Sequence, residues 1–125
     1  MSQFKLIYFN ARGRAETSRI LFALAGQDYV DERFSFEEWP QRKPGTLFGV
    51  SPELEVDGVR ICQSMAIARF LAKKFGYAGK TPLEEAQADM IVDCMQDVMT
   101  PVAEVFRQKT EEEKVLFENI SNFHN

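Results

Sequence analysis

The chain has 125 residues, 45% hydrophobic and 27% charged, the composition of an ordinary globular protein, and no apolar run approaches the roughly 20 residues that cross a bilayer. Its net charge of -4 is uneven: residues 1–82 hold twelve Lys or Arg against nine Asp or Glu, while residues 83–125 hold three against ten. The scattered basic residues lack an interleaved aromatic platform, which argues against nucleic acid as a partner.

The first strand is predicted at residues 4–9, apolar almost throughout, as in a sheet covered on both faces. A basic turn, Asn10-Ala11-Arg12-Gly13-Arg14, leads into a helix predicted from Arg14 to Ala25, with Ile20, Leu21 and Leu24 as its buried stripe. Gly26 closes it in the left-handed conformation that glycine tolerates. A second strand reads Tyr29 to Phe34, and Phe36 to Pro40 reads as a short irregular helical turn. Pro44, Gly45 and Gly49 make the next stretch a loop.

Residues 53–62 alternate apolar and polar around Asp57-Gly58, a strong hairpin signal. Ser64 is placed to cap a helix whose apolar residues Ile67, Leu71 and Phe75 recur every four positions, and Gly76 stops it. The order β-α-β, connection, β-β-α implies a mixed four-stranded sheet with helices on both faces, the thioredoxin-like α/β architecture.

Tyr77 to Thr81 reads as a linker, so residues 1–80 form one expected domain and residues 81–125 begin a helical one. A long amphipathic helix is predicted from Leu83 to Lys109, with Ile91, Cys94, Met95, Val98, Val102 and Phe106 as its buried seam. Pro101 is expected to kink it or end its first half. Thr110-Glu111-Glu112-Glu113 is a capping box for a further helix containing Val115, Leu116 and Ile120.

Cys62 and Cys94 lie far apart, without metal-ligand or C-x-x-C spacing, and read as small buried hydrophobes. No metal site is expected. The start of the chain lacks the apolar stretch of a signal peptide, and an intracellular, reducing location, the cytoplasm, is expected.

Tyr8 carries the most chemical information. A phenol at the end of a strand, beside Arg14 at the start of a helix, suits holding a small anion in positive potential. The plainer alternative is a buried tyrosine whose hydroxyl finds a partner. Ser64 is similarly either a carboxylate-binding hydroxyl at a helix N-terminus or a simple cap. Trp39 alone reads as a loop anchor and Asp97 as a solvated helix residue.

With this order, the chain resembles the cytosolic glutathione transferases, most closely their sigma class, which includes helminth and arthropod transferases, the glutathione-dependent prostaglandin D synthase and cephalopod lens crystallins. The stretches that carry the resemblance are Tyr8 to Glu16, Glu38-Trp39-Pro40, Leu54 to Gly58, Gln63 to Arg69, Gly79-Lys80-Thr81 and Asp93 to Asp97. The resemblance implies a glutathione transferase that uses glutathione as co-substrate. Tyr8 would activate its thiol, supported by Arg14. Trp39 and Lys43 would reach its glycine carboxylate, and Gln63 and Ser64 its γ-glutamyl end. Gly49, Val50 and Ser51 precede a proline that is cis in the family, and Ser51 would pair its backbone with the peptide part of glutathione. Asp97 would reach across a homodimer to the partner's glutathione.

Free thiols have a pKa of about 8.5, so a hydrogen bond from the Tyr8 hydroxyl to sulfur would raise the thiolate fraction. The thiolate would then attack a small electrophile or open a peroxide. The resemblance also admits a catalytically weak, crystallin-like structural descendant, or a glutathione-dependent isomerase of prostaglandin-type endoperoxides.

Two departures stand out. Val50, Ser51 and Glu53 replace a polar residue at 50 and apolar residues at 51 and 53, and an unpaired Glu53 carboxylate would be costly inside a sheet. Glu53 is therefore expected at a solvent-facing strand end, unless the site is weakened. Relatives of the family also continue for roughly 80 further residues, which implies that the helical domain and the pocket for the second substrate are incomplete here. The exposed apolar seam and the opposite charges of the two halves are expected to favour a homodimer or higher assembly.

Overall fold

Strand β1, Phe4–Phe9, follows the apolar run and pairs on both edges in this computed structural model, which describes residues 1–107. The chain divides into two compact units, Met1–Lys80 and a second that starts at Thr81.

The first unit is built on a four-stranded sheet of order β2-β1-β3-β4. β2 (Val30–Phe34) runs parallel to β1, with Phe9 opposite Phe34. β3 (Glu53–Val56) and β4 (Val59–Cys62) are antiparallel, and Ile7, Glu53 and Cys62 fall in one row. Asp57 and Gly58, at φ 50° and 86°, form the two-residue turn that matches strand twist. This is the mixed thioredoxin-like sheet expected from the order of elements.

Alternation along β1 sends Phe4, Leu6 and Tyr8 to one face. There they join Leu54 and residues of two helices, α1 (Glu16–Ala25) and α3 (Ser64–Phe75), in one cluster with Leu21, Phe22, Ile67 and Leu71. Phe22 sits edge-on to Phe4 at 5.4 Å and stacks on Tyr29 at 4.1 Å. Burying a side chain of this size contributes about 2–3 kcal/mol. The other face is crossed by α2 (Trp39–Arg42), flanked by tight turns at Phe36–Glu38 and Lys43–Gly45.

Several expectations are corrected. Residues 13–15 form a tight turn, so α1 starts at Glu16 and not at Arg14. Its buried face is Ser18, Arg19, Leu21 and Phe22, whereas Ile20 and Leu24 are exposed. Packing against the sheet and α3 selects the 18–21–22 stripe, one step round the helix from the expected one. The turn expected at Phe36 to Pro40 runs on to Gly45, because Pro40 and Pro44 both sit at the starts of helical turns, where a missing N–H costs nothing. Strand β2 begins at Val30, one residue later than read.

The described part of the second unit is α4, Pro82–Arg107. Thr81 Oγ1 accepts the Glu84 N–H at 3.2 Å and caps it. The helix runs through Pro101 without ending, and Thr100 Oγ1 donates to the Gln96 carbonyl at 3.0 Å one turn earlier. Ile91, Met95, Val98 and Val102, expected as a buried seam, are exposed, and so is Cys94. The Phe106 side chain and the helix expected after Thr110 lie outside the described residues. No helix among the described residues is long and apolar enough to cross a membrane.

Candidate functional site

Strand register brings four of the expected residues, Tyr8, Ser51, Gln63 and Ser64, to one end of the sheet. Tyr8 is near the C-terminal end of β1, Ser51 and Pro52 directly precede β3, and Gln63 and Ser64 directly follow β4. Because β3 is antiparallel to β1 and β4 to β3, with Ile7, Glu53 and Cys62 in one row, these three segments leave the sheet on the same side. Carboxyl ends of strands next to helix starts are where open α/β sheets take ligands.

Tyr8 is buried, and its Oη accepts the Arg14 backbone N–H at 3.2 Å. Gly13, at φ 43°, lies so close that a Cβ there would collide with the Tyr8 hydroxyl. Only glycine permits this approach together with a positive φ. The arginine buried nearest the ring is Arg19, whose guanidinium lies 5.8 Å from the Tyr8 ring centre. It donates to the Ala11 carbonyl at 2.7 Å and pairs with Glu16 at 3.0 Å and Asp31 at 3.3 Å. Arg19 thus ties the turn after β1 to α1 and β2. Sequence reading missed both Gly13 and Arg19; the glycine inside a basic turn was the available signal for the first.

The Ser51–Pro52 peptide bond is cis, as the family pattern implies. Ser64 is the first residue of α3 and is buried; the cap position belongs to Gln63, not to Ser64 as expected. Gln63 holds φ 73° and ψ 112°, an unfavourable conformation for a residue with a side chain. The helix start follows so directly on β4 that the turn between them falls on this one residue.

Trp39 stacks on Phe34 at 5.8 Å and leans on Phe9 at 5.4 Å, so aromatic packing fixes α2 over the sheet. Lys43 lies one turn further on, and its side chain runs along Gly49, which has φ 68°. Lys43 and the segment from Gly49 to Ser51 are therefore neighbours. Asp97 is an exposed residue of α4 in the second unit.

Beneath α2 a cavity of about 300 Å³ is lined by Ile7, Phe34, Trp39, Arg42, Ser51 and Glu53, among others. Glu53, expected at a solvent-facing strand end, is instead 4% exposed. Its Oε2 accepts the Leu47 N–H at 3.1 Å, and its Oε1 lies 3.9 Å from Arg60 Nη1. These partners answer the desolvation cost that the sequence raised. The Ser51 hydroxyl oxygen is buried without a hydrogen-bond partner among the described residues. Cys62 is buried, and burial, then the charge of Glu53, push its thiol above the ordinary pKa. Among the described residues no three His, Cys, Asp or Glu side chains gather as metal ligands.

Residues 4–73 match the family model of the glutathione S-transferase N-terminal domain. Among curated proteins, the hematopoietic prostaglandin D synthase of Gallus gallus is 57% identical over 99 residues, covering 79% of this chain and 50% of that protein. Among solved structures, a Nu-class transferase from Haemonchus contortus superposes with a TM-score of 0.76 at 54% identity, covering 82% of this chain and 50% of that one. Monomeric Na-GST-3 of the hookworm Necator americanus gives 0.81 at 47% identity, covering 94% and 58%. The chain spans about half the length of the curated relatives it matches.

Proposed function

The chain belongs to the glutathione S-transferase family, and we propose that it serves glutathione transfer, with Tyr8 holding the glutathione thiol as thiolate for attack on a small electrophile or peroxide. The observation that carries this reading is the hydrogen bond from the Arg14 N–H to Tyr8 Oη. It occupies the phenolic oxygen as an acceptor and polarises the O–H, which is then the better donor to sulfur. A hydrogen bond to the charged form lowers a thiol pKa, and each 1.4 kcal/mol gives about ten times more thiolate.

In this reading Gln63 and Ser64 bind the γ-glutamyl end at the start of α3, and the Ser51 backbone meets the cysteinyl peptide. Trp39 and Lys43 face the glycine carboxylate, with Gly49 and Val50 shaping the loop between them, and Arg14 adds positive potential. A sigma-type homodimer in the cytoplasm, with Asp97 reaching the partner's site and a role in detoxification, completes the proposal. Its support is the charge contrast between residues 1–82 and 83–125 and the exposed apolar residues of α4. The hookworm relative described as monomeric marks the assembly as the part to test first, by light scattering over a range of concentration and salt.

Turnover of glutathione with a chloronitroaromatic, compared between the wild type and Tyr8→Phe, tests the mechanism. The variant is expected to lose about tenfold or more in rate, the worth of one hydrogen bond to a charged group. Equal rates would remove Tyr8 from the chemistry.

A second reading, glutathione-dependent isomerisation of a prostaglandin-type endoperoxide, is supported by the 57% identity to a prostaglandin D synthase. It uses the same thiolate, so product analysis with an endoperoxide separates the two. A third, a structural protein that has lost useful catalysis, rests on Val50, which departs from the family pattern, and tight glutathione binding with turnover would exclude it.

A further inference from the structure

The β3–β4 hairpin grips the chain that precedes it. Glu53 stands in the row of Ile7 and Cys62, a position whose burial calls for an apolar side chain, yet it carries a carboxylate. That carboxylate reaches back along the chain to accept the Leu47 N–H at 3.1 Å. Arg60, directly across the hairpin from Glu55, donates from Nη1 to the Gly45 carbonyl at 2.9 Å. The same nitrogen faces Glu53 at 3.9 Å, and Arg60 Nε bonds Glu55 at 3.2 Å. Residues 45 and 47, only two apart, are thus held by two side chains that also face each other.

What these contacts hold is the stretch that leads to Gly49, Val50 and Ser51. The stretch is anchored at its other end as well. Thr46 Oγ1 donates to the Lys43 carbonyl at 2.7 Å, and Gly49 packs along the Lys43 side chain. Shifting residues 45–47 would therefore move Lys43 and the loop before Pro52 together. A charge-assisted bond to a buried carboxylate is stronger than a neutral one, and removing it would leave the Leu47 N–H without its acceptor.

We propose that Glu53, with Arg60, is a positioning clamp for residues 45–51 and so sets affinity for the peptide portion of glutathione without entering the thiol chemistry. The proposal rests on the reading of this sheet edge as a glutathione site. It predicts a split: loss of the clamp weakens glutathione binding and raises its KM, while kcat at saturating glutathione stays within about twofold, because Tyr8 is held from the other side by Arg14.

The test uses the full chain, reduced glutathione as the probe, and the variants Glu53→Gln, which keeps a carbonyl acceptor, and Glu53→Leu, which has none. Binding is measured by calorimetry and the Leu47 amide by hydrogen exchange. Glu53→Gln should protect Leu47 and bind within about threefold of wild type, whereas Glu53→Leu should lose that protection and bind about tenfold more weakly, the equivalent of one lost hydrogen bond to a charged group. Unchanged affinity in Glu53→Leu, or a fall in kcat at unchanged KM, would overturn the proposal. Should Glu53→Leu fail to fold, Arg60→Ala replaces it, since the Arg60 side chain is 41% exposed. It should raise KM alone, and a wild-type KM would overturn the proposal. A wild-type chain that binds no glutathione would refute the function proposed above; the Leu47 amide would then decide the clamp by itself, with equal exchange in all variants refuting it.

Discussion

The two faces of the sheet are made from the same strands and do different work. Facing α1 and α3, the rows Phe4–Val56 and Leu6–Leu54–Ile61 are apolar, and they pack against Phe22, Ile67 and Leu71. On the reverse, alternate residues of the same strands give Lys5–Glu55–Arg60 and Ile7–Glu53–Cys62, with ion pairs at 3.2–3.3 Å joining Glu55 to both Lys5 and Arg60. Apolar burial is non-directional and supplies stability, whereas hydrogen bonds and ion pairs are directional and fix where a loop lies. A period of two thus lets one sheet carry its stability on one side and its loop geometry on the other.

Substitutions on the apolar face should therefore cost stability most. Phe22→Ala, at a side chain with no exposure, should lose about 3–5 kcal/mol in urea denaturation. A loss below that of an exposed site would break the comparison. Gly13→Ala sits where the apolar face ends, under the Tyr8 hydroxyl. It should cost about 1–2 kcal/mol from its positive φ alone and lower glutathione turnover further by displacing the phenol. Turnover at the wild-type rate would show that the hydroxyl position is not critical.

The smallest effect belongs to the ionic face. Burial pushes the Glu55 carboxyl up, but hydrogen bonds and charge from Lys5 and Arg60 outweigh it and hold the pKa below the ordinary 4.5. A lowered folded value means stability that is present above 4.5 and lost as pH falls through the folded value. Glu55→Gln should therefore be less stable than wild type by at most about 1 kcal/mol at neutral pH, and the gap should close on acidification. A gap that widens in acid would reverse the assignment.

How much of this was legible beforehand depended on which residues decide each feature. β1, the Asp57-Gly58 hairpin and the Gly26 and Gly76 helix ends follow from local pattern, and the structure has them where local chemistry puts them. The buried side of α1 did not follow, because Ile20 and Leu24 are as apolar as Leu21 and Phe22. Only packing against the sheet and α3 chooses between the two stripes. The same holds for α4, whose apolar seam satisfies helical periodicity while Ile91, Met95 and Val98 remain exposed. At the candidate site, Tyr8, Gln63 and Ser64 were named from sequence. Arg19 was not, since a charged residue inside a helix gives no sign that it will be 6% exposed, and of the partners that make this tolerable only Glu16 is local, the others lying on β2 and in the turn after β1. Glu53 was noticed for the right reason, the cost of burying a carboxylate. Its remedy, a backbone N–H six residues back, depends on a loop path that no pattern encodes.

The contrast between the two cysteines has a consequence for a protein proposed to handle electrophiles. Any reagent reactive enough to be captured by a glutathione thiolate can also alkylate the protein's own thiols. Cys62, beside the carboxylate of Glu53, is shielded twice: by burial, and by a raised pKa that keeps it in the unreactive neutral form. Burial chiefly, and the charge of Glu53 second, thereby suppress self-inactivation at the sheet edge. Cys94 is exposed on α4, so of these two thiols it is the one open to a reagent from solvent.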